Sequence, residues 1–315
     1  MISTRLHRWL NKLQRKIDKW FSKILCLVSP TLYSRYLFLK IKKQRLHLKK
    51  PRNMDEKIMW LKLNTYRDNP LVTKCADKYL VREYIKECGF EGILNELYYV
   101  WNKPEEIKWE DLPDSFVIKC NHGCGFNLLC PDKATMDKDA VLRQIRLWYN
   151  DEFWQLLAEL QYKKIPKKII CEKYLGDDLP DYKIYCFNGV PLYILVCVGR
   201  YSNTSNGTLN KNKPKFLFFD TEWKLCPLNR DSQNCTPDEI VAKPEGFEEM
   251  LAIAENLSQP FPFVRVDLYN QNGRIYFGEL TFTPAAALDK DRLPETDLFF
   301  GELIDLHYTD PMREK

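Results

Sequence analysis

Apolar positions follow two rhythms along this chain, and the change from one to the other separates helical from sheet-forming stretches. Between Asp137 and Tyr162, Val141, Leu142, Ile145, Trp148, Leu156, Leu157 and Leu160 recur at helical spacing, which predicts one long helix with those side chains buried. Downstream, Phe263-Val-Arg265-Val-Asp267-Leu-Tyr alternates apolar with polar residues, the period of a strand, and places Arg265 and Asp267 on one face. The turn Asn270-Gln-Asn-Gly273 then leads into Arg274-Ile-Tyr-Phe-Gly-Glu279-Leu-Thr281. An Asn-Gly pair favours a hairpin, so Asp267 and Glu279 are expected near one another on adjacent strands.

The remaining segments follow the same rules. Short strands are expected near 169–174, 182–187, 192–198 and 216–219, with Asn188-Gly189 turning one hairpin. Asp77 is placed to cap a helix running to Cys88 and ended by Gly89, with Lys78 in its first turn, and a last helix is expected over 246–257. Tyr201 to Pro214 is polar and reads as a mobile loop. No internal repeat or low-complexity domain is present.

Charge changes the picture at the N-terminal end. Residues 1–52 carry 15 Lys/Arg against the single acid Asp18, a net of +14, which leaves −9 for the rest of a chain whose total is +5. Leu6, Trp9, Leu10, Leu13, Ile17, Trp20, Phe21, Ile24 and Leu25 step along one helical face, with Arg and Lys interleaved, the pattern of a basic amphipathic helix. Its longest uncharged apolar run, Ile24 to Val28, is far shorter than the ~18 residues of a membrane span. Basic residues also run through the segment instead of preceding an apolar core, unlike a signal peptide. The expectation is attachment to an anionic membrane face; a helix docked on the acidic body is the alternative.

Eleven cysteines, an odd number scattered without a framework, point to free thiols in a reducing cytoplasm. Cys120, His122, Cys124 and Cys130 cluster, but their spacing matches no common zinc site. With 315 residues, 45% of them hydrophobic, the chain can bury a sizeable core as one compound domain or two.

The most chemically pointed stretch is Phe116-Val-Ile-Lys119-Cys-Asn-His122-Gly123-Cys-Gly125-Phe-Asn127. An apolar strand delivers a lysine into a loop with two glycines. Glycines let backbone N–H groups approach phosphate oxygens, and lysine supplies a point charge. It is not a P-loop, because the lysine precedes the glycines and no Gly-Lys-Ser/Thr follows. Alone, it also fits a plain hairpin turn with a surface lysine. Asp267 and Glu279 with Arg265 beside them fit a magnesium-phosphate clamp, or a cross-strand ion pair on a solvated face.

In sequence order these pieces resemble the ATP-grasp superfamily, and more closely its teichuronopeptide-biosynthesis (TupA-like) branch of bacterial surface-polysaccharide proteins. The landmarks are Glu56-Lys-Ile-Met-Trp60, Asp77-Lys78-Tyr-Leu-Val-Arg82, the Lys119 loop, Cys171-Glu172-Lys-Tyr-Leu, Asp181-Tyr-Lys183, Arg265-Val-Asp267 and Gly278-Glu279-Leu-Thr281. The resemblance implies an α+β fold of two lobes clasping a nucleotide: a basic arm over 1–52, the start of the catalytic domain over 53–115, a small lobe with a glycine-loop lid over 116–175, and a large lobe with the metal-binding hairpin over 176–315. It further implies that Lys78 and Lys119 contact the α- and β-phosphates of ATP, with His122, Gly123 and Gly125 in the lid. Glu172 and the backbone of Lys173 to Leu175 would hold adenine and ribose. Asp267 and Glu279 would hold Mg2+, Lys183 would approach the γ-phosphate or the acyl group, and Arg265 would stabilise the charge that builds there. Where many members carry asparagine two residues after the last metal-binding glutamate, this chain has Thr281, a shorter and weaker ligand that puts the number of magnesium ions in question.

The implied reaction is ATP-dependent carboxylate-amine ligation through an acyl phosphate, on a uronic acid or acidic amino acid of a capsule or surface polysaccharide, at the inner face of the bacterial membrane and without nucleic acid as partner. No Gly-x-Ser-x-Gly elbow offers a competing chemistry. The alternative is a glycosyltransferase of a polysaccharide locus, with Asp289-Lys-Asp291 holding a metal-bound nucleotide sugar.

Overall fold

The computed structural model describes residues 20–176, 179–199, 202–203, 209–210 and 214–309. Its small lobe is a four-stranded antiparallel sheet of β1 (Leu97–Trp101), β2 (Phe116–Cys120), β3 (Asn127–Cys130) and β4 (Ile169–Lys173), in the order β1-β4-β2-β3. The helix Lys138–Asn150 lays Val141 and Ile145 over it, against Phe116, Ile118, Phe126 and Cys171. Since β1 pairs with β4, the small lobe begins about 20 residues before the boundary expected from the glycine loop, because strand pairing and not motif position decides membership.

The large lobe is a six-stranded antiparallel sheet. It comprises β5 (Asp181–Phe187), β6 (Val190–Val198), β9 (Lys215–Asp220), β10 (Leu225–Cys226), β11 (Phe263–Gln271) and β12 (Arg274–Thr281), in the order β10-β9-β6-β5-β11-β12. Between β6 and β9, the two-residue strands β7 (Ser202–Asn203) and β8 (Leu209–Asn210) pair with each other; most of the stretch 201–214 read as a mobile loop lies outside the described residues. Asn188 and Gly189, at φ 49° and 78°, turn the β5–β6 hairpin, and Asn272 and Gly273, at φ 53° and 83°, turn β11–β12. Asparagine and glycine tolerate this left-handed backbone, and both hairpins fall where the sequence puts them.

Alternation gives the large sheet two faces. Ile184, Cys186, Val264, Val266 and Leu268 are buried on the side of the helix Phe247–Ser258, where the Cys186 thiol lies 3.8 Å from the Ala254 carbonyl. Asp181, Lys183, Arg265 and Asp267 occupy the opposite face, which looks into the cleft between the lobes.

Two helical expectations are corrected. The helix over 137–162 stops at Asn150, with Asp151 extended at ψ 144°, and is followed by the short turns Trp154–Leu157 and Leu160–Tyr162. Asp151 and Glu152 sit where the helix dipole disfavours negative charge, and Glu152 accepts instead from Lys167 Nζ at 2.7 Å and Trp154 Nε1 at 3.0 Å. Asp77 caps the turn before a helix and not the helix itself. Its carboxylate accepts from the Tyr79 and Leu80 N–H groups at 2.8 and 3.3 Å, and the helix Val81–Glu87 follows.

Of the basic N-terminal stretch, residues 1–19, including Leu6, Trp9, Leu10, Leu13 and Ile17, lie outside the described residues. Residues 20–28 are helical, and a second helix, Pro30–Lys42, buries Tyr33, Ser34, Leu37 and Phe38 in the large core. Lys42 reaches Asp55 at 2.6 Å. From Pro30 onward the chain is packed into the body, so residue 52 marks no break in packing.

Candidate active site

A cleft of about 460 Å3 separates the lobes, lined by Lys78, Lys119, Glu172 and the charged face of the large sheet. Cross-strand register sets that face: Glu279 pairs with Asp267, Asp267 with Lys183, Lys183 with Leu195, and Leu195 with Phe218. At ~4.8 Å per strand, this row runs about 19 Å from carboxylates through a lysine to apolar side chains.

At the centre Asp267, 2% exposed, holds two cations. Arg265 donates to both of its oxygens at 2.6 Å from Nε and Nη2, and Lys183 Nζ lies 2.7 Å from Oδ2. Lys183 also reaches Asp181 at 2.7 Å. Burial alone would lower the Lys183 ammonium, but Asp267 and Asp181 outweigh it and raise its pKa. Both cations are therefore fixed and fully charged. A bulge sits beside Asp267, where the partner register jumps from Glu279 to Phe277 and Gly278 is the extra residue. A Cβ at Gly278 would lie 2.8 Å from the Asp267 carbonyl oxygen, so glycine permits the approach that aims Glu279 into the cleft.

Glu279 is the carboxylate free to take a metal. Thr281 Oγ1 donates to it at 3.0 Å, while Arg265 and Lys78 approach at 3.6 and 4.0 Å. Burial would raise its pKa, but Lys78, Arg265 and Lys183 hold it down at about 2. The fit to magnesium is thus uneven: Glu279 and the adjacent Thr281 hydroxyl offer oxygens, whereas both Asp267 oxygens are taken by Arg265 and Lys183. Of the two carboxylates expected to hold Mg2+, Glu279 is therefore the better placed, while Asp267 holds Arg265 and Lys183 in position. Magnesium accepts a single protein carboxylate where phosphates and water complete its shell.

Two lysines face this row. Lys78 Nζ donates to the Gly123 carbonyl at 2.5 Å, tying the turn after Asp77 to the glycine loop. Lys119 Nζ lies 2.6 Å from Glu172 Oε2, whose other oxygen accepts from Arg82 Nη1 at 3.1 Å. Arg82 also donates to the Asn95 carbonyl at 2.8 Å, and Asn95 Nδ2 to the Lys173 carbonyl at 2.8 Å. Arg82 and Asn95 were missed by motif reasoning. Arg82 stands within the Asp77-Lys78 landmark, four residues after Lys78, and that helical step toward the same cleft was the available signal.

The loop residues divide. Gly125, at φ 74°, lines the cleft with nothing near its open side. Gly123 is needed for packing, since a Cβ there would meet the Phe153 ring at 2.8 Å. His122, expected in the lid, is buried beneath the glycine loop and does not line the cleft. It is 3% exposed, its Nε2 lies 3.2 Å from the Trp148 carbonyl, and its ring abuts Phe126 and Tyr149. Burial pushes its pKa down to about 4. Lys173 and Leu175 are absent from the cleft wall. The Lys173 N–H donates to the Glu96 carbonyl and its own carbonyl accepts from Asn95, so its backbone is engaged within the small-lobe sheet.

All eleven cysteines are free, with Cys120 and Cys130 turned into the core and Cys124 exposed. No cluster of three or more His, Cys, Asp or Glu suited to a metal occurs among the described residues. Asp289 Oδ1 accepts the N–H groups of Asp291 and Arg292 at 2.8 and 3.3 Å, and both acids line the cleft.

Residues 56–305 match the family described as TupA-like ATPgrasp. No curated protein matches the chain. Among solved structures, D-alanine–D-alanine ligase from Bacillus anthracis is similar, at 13% identity over 83% of this chain and 68% of that one, with a TM-score of 0.43. So is an L-amino acid ligase from Bacillus licheniformis, at 14% identity over 81% and 54%, with a TM-score of 0.40. Phosphoribosylamine–glycine ligase from Thermotoga maritima follows at 13% over 71% and 50%, with a TM-score of 0.39.

Proposed function

Because the chain belongs to the TupA-like ATP-grasp family, we propose that it is an ATP-dependent carboxylate-amine ligase acting through an acyl phosphate. One observation carries this reading. Lys78 and Lys119 on one side of the cleft face Glu279, Arg265 and Lys183 on the other, a charge pattern that suits a triphosphate meeting a carboxylate.

In the proposed reaction a substrate carboxylate oxygen attacks the γ-phosphorus of ATP, ADP leaves, and an acyl phosphate forms. An amine then adds to the acyl carbon, and phosphate departs with the amide left behind. Lys78 and Lys119 neutralise the nucleotide phosphates, with Lys119 exchanging Glu172 for a phosphate oxygen. Arg265 and Lys183, already held by Asp267, offset the charge that develops on the transferred phosphoryl group and on the tetrahedral carbon. Held by Glu279 and Thr281, magnesium would supply charge neutralisation between the phosphates when bound. The chain needs no nucleophile of its own, because positioning supplies the rate.

The acceptor we propose is a uronic acid or acidic amino acid group of a surface polysaccharide or its precursor. Support comes from the length of the cleft beyond Lys183 and from its lining of Leu195, Phe216, Phe218, Asp289 and Asp291. Aromatic faces and carboxylate acceptors suit the faces and hydroxyls of a sugar. The test is positional isotope transfer. With the substrate carboxylate labelled in heavy oxygen, one labelled oxygen should appear in the released phosphate. Unlabelled phosphate with amide formation would sink the acyl-phosphate route.

A further inference from the structure

Of the thirteen large apolar side chains exposed among the described residues, seven fall between Trp20 and Leu39. They do not belong to a loose tail. Residues 20–28 form a helix seated by the fully buried Cys26, and Phe21 meets the Tyr36 ring edge-on at 6.3 Å. Ser29 then caps the helix Pro30–Lys42, accepting from the Leu32 N–H at 3.2 Å, and Tyr33 Oη donates to the Leu156 carbonyl at 2.9 Å. With that inner side fixed, Trp20, Phe21, Leu27, Val28 and Leu32 are held outward, Trp20 at 67% and Val28 at 78% exposure.

Basic residues from outside this stretch border the same face. A crevice of about 150 Å3 is lined by Leu27, Val28 and Pro30 on one side and by Arg67, Lys163 and Lys164 on the other. Asp68, the one acid there, pairs with Arg67 at 3.3 Å and Lys164 at 2.8 Å, which leaves the crevice net positive. The sequence reinforces this, since residues 1–52 carry a net +14.

We propose that this face rests on an anionic lipid surface, with Trp20, Phe21, Leu27 and Val28 in the interfacial zone and Lys23, Arg67 and Lys163 at the headgroup phosphates. Exposed indole and aliphatic groups on one short helix, bordered by cations, match the layering of an acyl boundary beneath a charged headgroup layer. A second copy on the same face would set like charge against like. Nucleic acid has no use for exposed Leu and Val. No described helix is long and apolar enough to cross a membrane, so contact is along the surface. The proposal is independent of the reaction assigned to the cleft.

The experiment is co-sedimentation of the full chain with vesicles of phosphatidylcholine, with and without phosphatidylglycerol, over a salt series. Binding should require phosphatidylglycerol and weaken as salt rises. Leu27→Glu with Val28→Glu should lower the partition coefficient about tenfold or more. Arg67→Glu with Lys163→Glu should lower it about thirtyfold or more. Melting temperatures should hold in both, because the four side chains are at the surface. Equal binding to both vesicles, or to neither, would overturn the proposal. So would a dimer in light scattering without lipid that the Leu27 and Val28 changes convert to monomer.

Discussion

Lys183 and Asp267 stand directly opposite one another on β5 and β11, 2.7 Å apart and almost wholly buried. Arg265, two residues along the same strand as Asp267, takes the remaining valence of that carboxylate. Asp267→Asn therefore leaves two buried cations under-compensated. Stability should fall by about 3–5 kcal/mol, as for other broken buried pairs, and turnover by roughly a hundredfold or more as Arg265 and Lys183 lose their positions. Denaturant melts read alongside ATP turnover check both, and a stable, active Asp267→Asn protein would refute the clamp.

Glu279 should behave differently. Its side chain is 35% exposed and it holds no buried cation alone. Glu279→Gln should cost less stability than Asp267→Asn, because solvent screens a part-exposed carboxylate, while removing magnesium-dependent ATP binding. Calorimetric titration of ATP with and without magnesium distinguishes the two carboxylates.

Lys119 is bound to Glu172 and sits 26% exposed. ATP with magnesium at about 100 times its Kd should stabilise the protein by ~2.7 kcal/mol. Lys119→Ala should lose most of that protection without unfolding the free protein, as read by thermal shift. Equal protection of both proteins would remove Lys119 from the nucleotide site.

Gly278→Ala places a methyl group 2.8 Å from the Asp267 carbonyl oxygen. The bulge must shift and swing Glu279 with it. The expected cost is ~1–3 kcal/mol, accompanied by a loss of ATP turnover larger than that destabilisation explains. Activity assayed well below the melting temperature separates the two effects.

His122 gives the fold a pH dependence. Its ordinary value of 6.5 drops to about 4 in the folded chain, so between those values the unfolded chain binds more protons. The stability it contributes is complete above about pH 6.5 and is lost as pH falls through 4, on the order of 3 kcal/mol in total. His122→Phe should flatten that part of the stability-versus-pH curve. An unchanged slope would show that the imidazole is not held neutral.

The local rules of the chain determined a good deal unaided. Two Asn-Gly turns set two hairpins, and alternation put Arg265 and Asp267 on one face of their strand, because strand period and left-handed turn chemistry are properties of the nearest few residues. That logic also brought Asp267 and Glu279 near each other on adjacent strands, whereas the bulge at Gly278 that sets them directly opposite is not legible in it. What it left open was which partner each charge would take. Asp267 reads as a metal ligand in sequence, yet β5 delivers Lys183 to it from 84 residues away, a pairing no local pattern encodes. His122 reads as a loop residue, but the end of the helix Lys138–Asn150 and the turn after it bring Trp148 and Phe153 around the glycine loop and bury it. Arg82 and Asn95 gain their roles only when β1 pairs with β4. Periodicity fixes the faces of elements; the low-dielectric cleft between lobes decides which charges meet, because only there do long-range neighbours displace water.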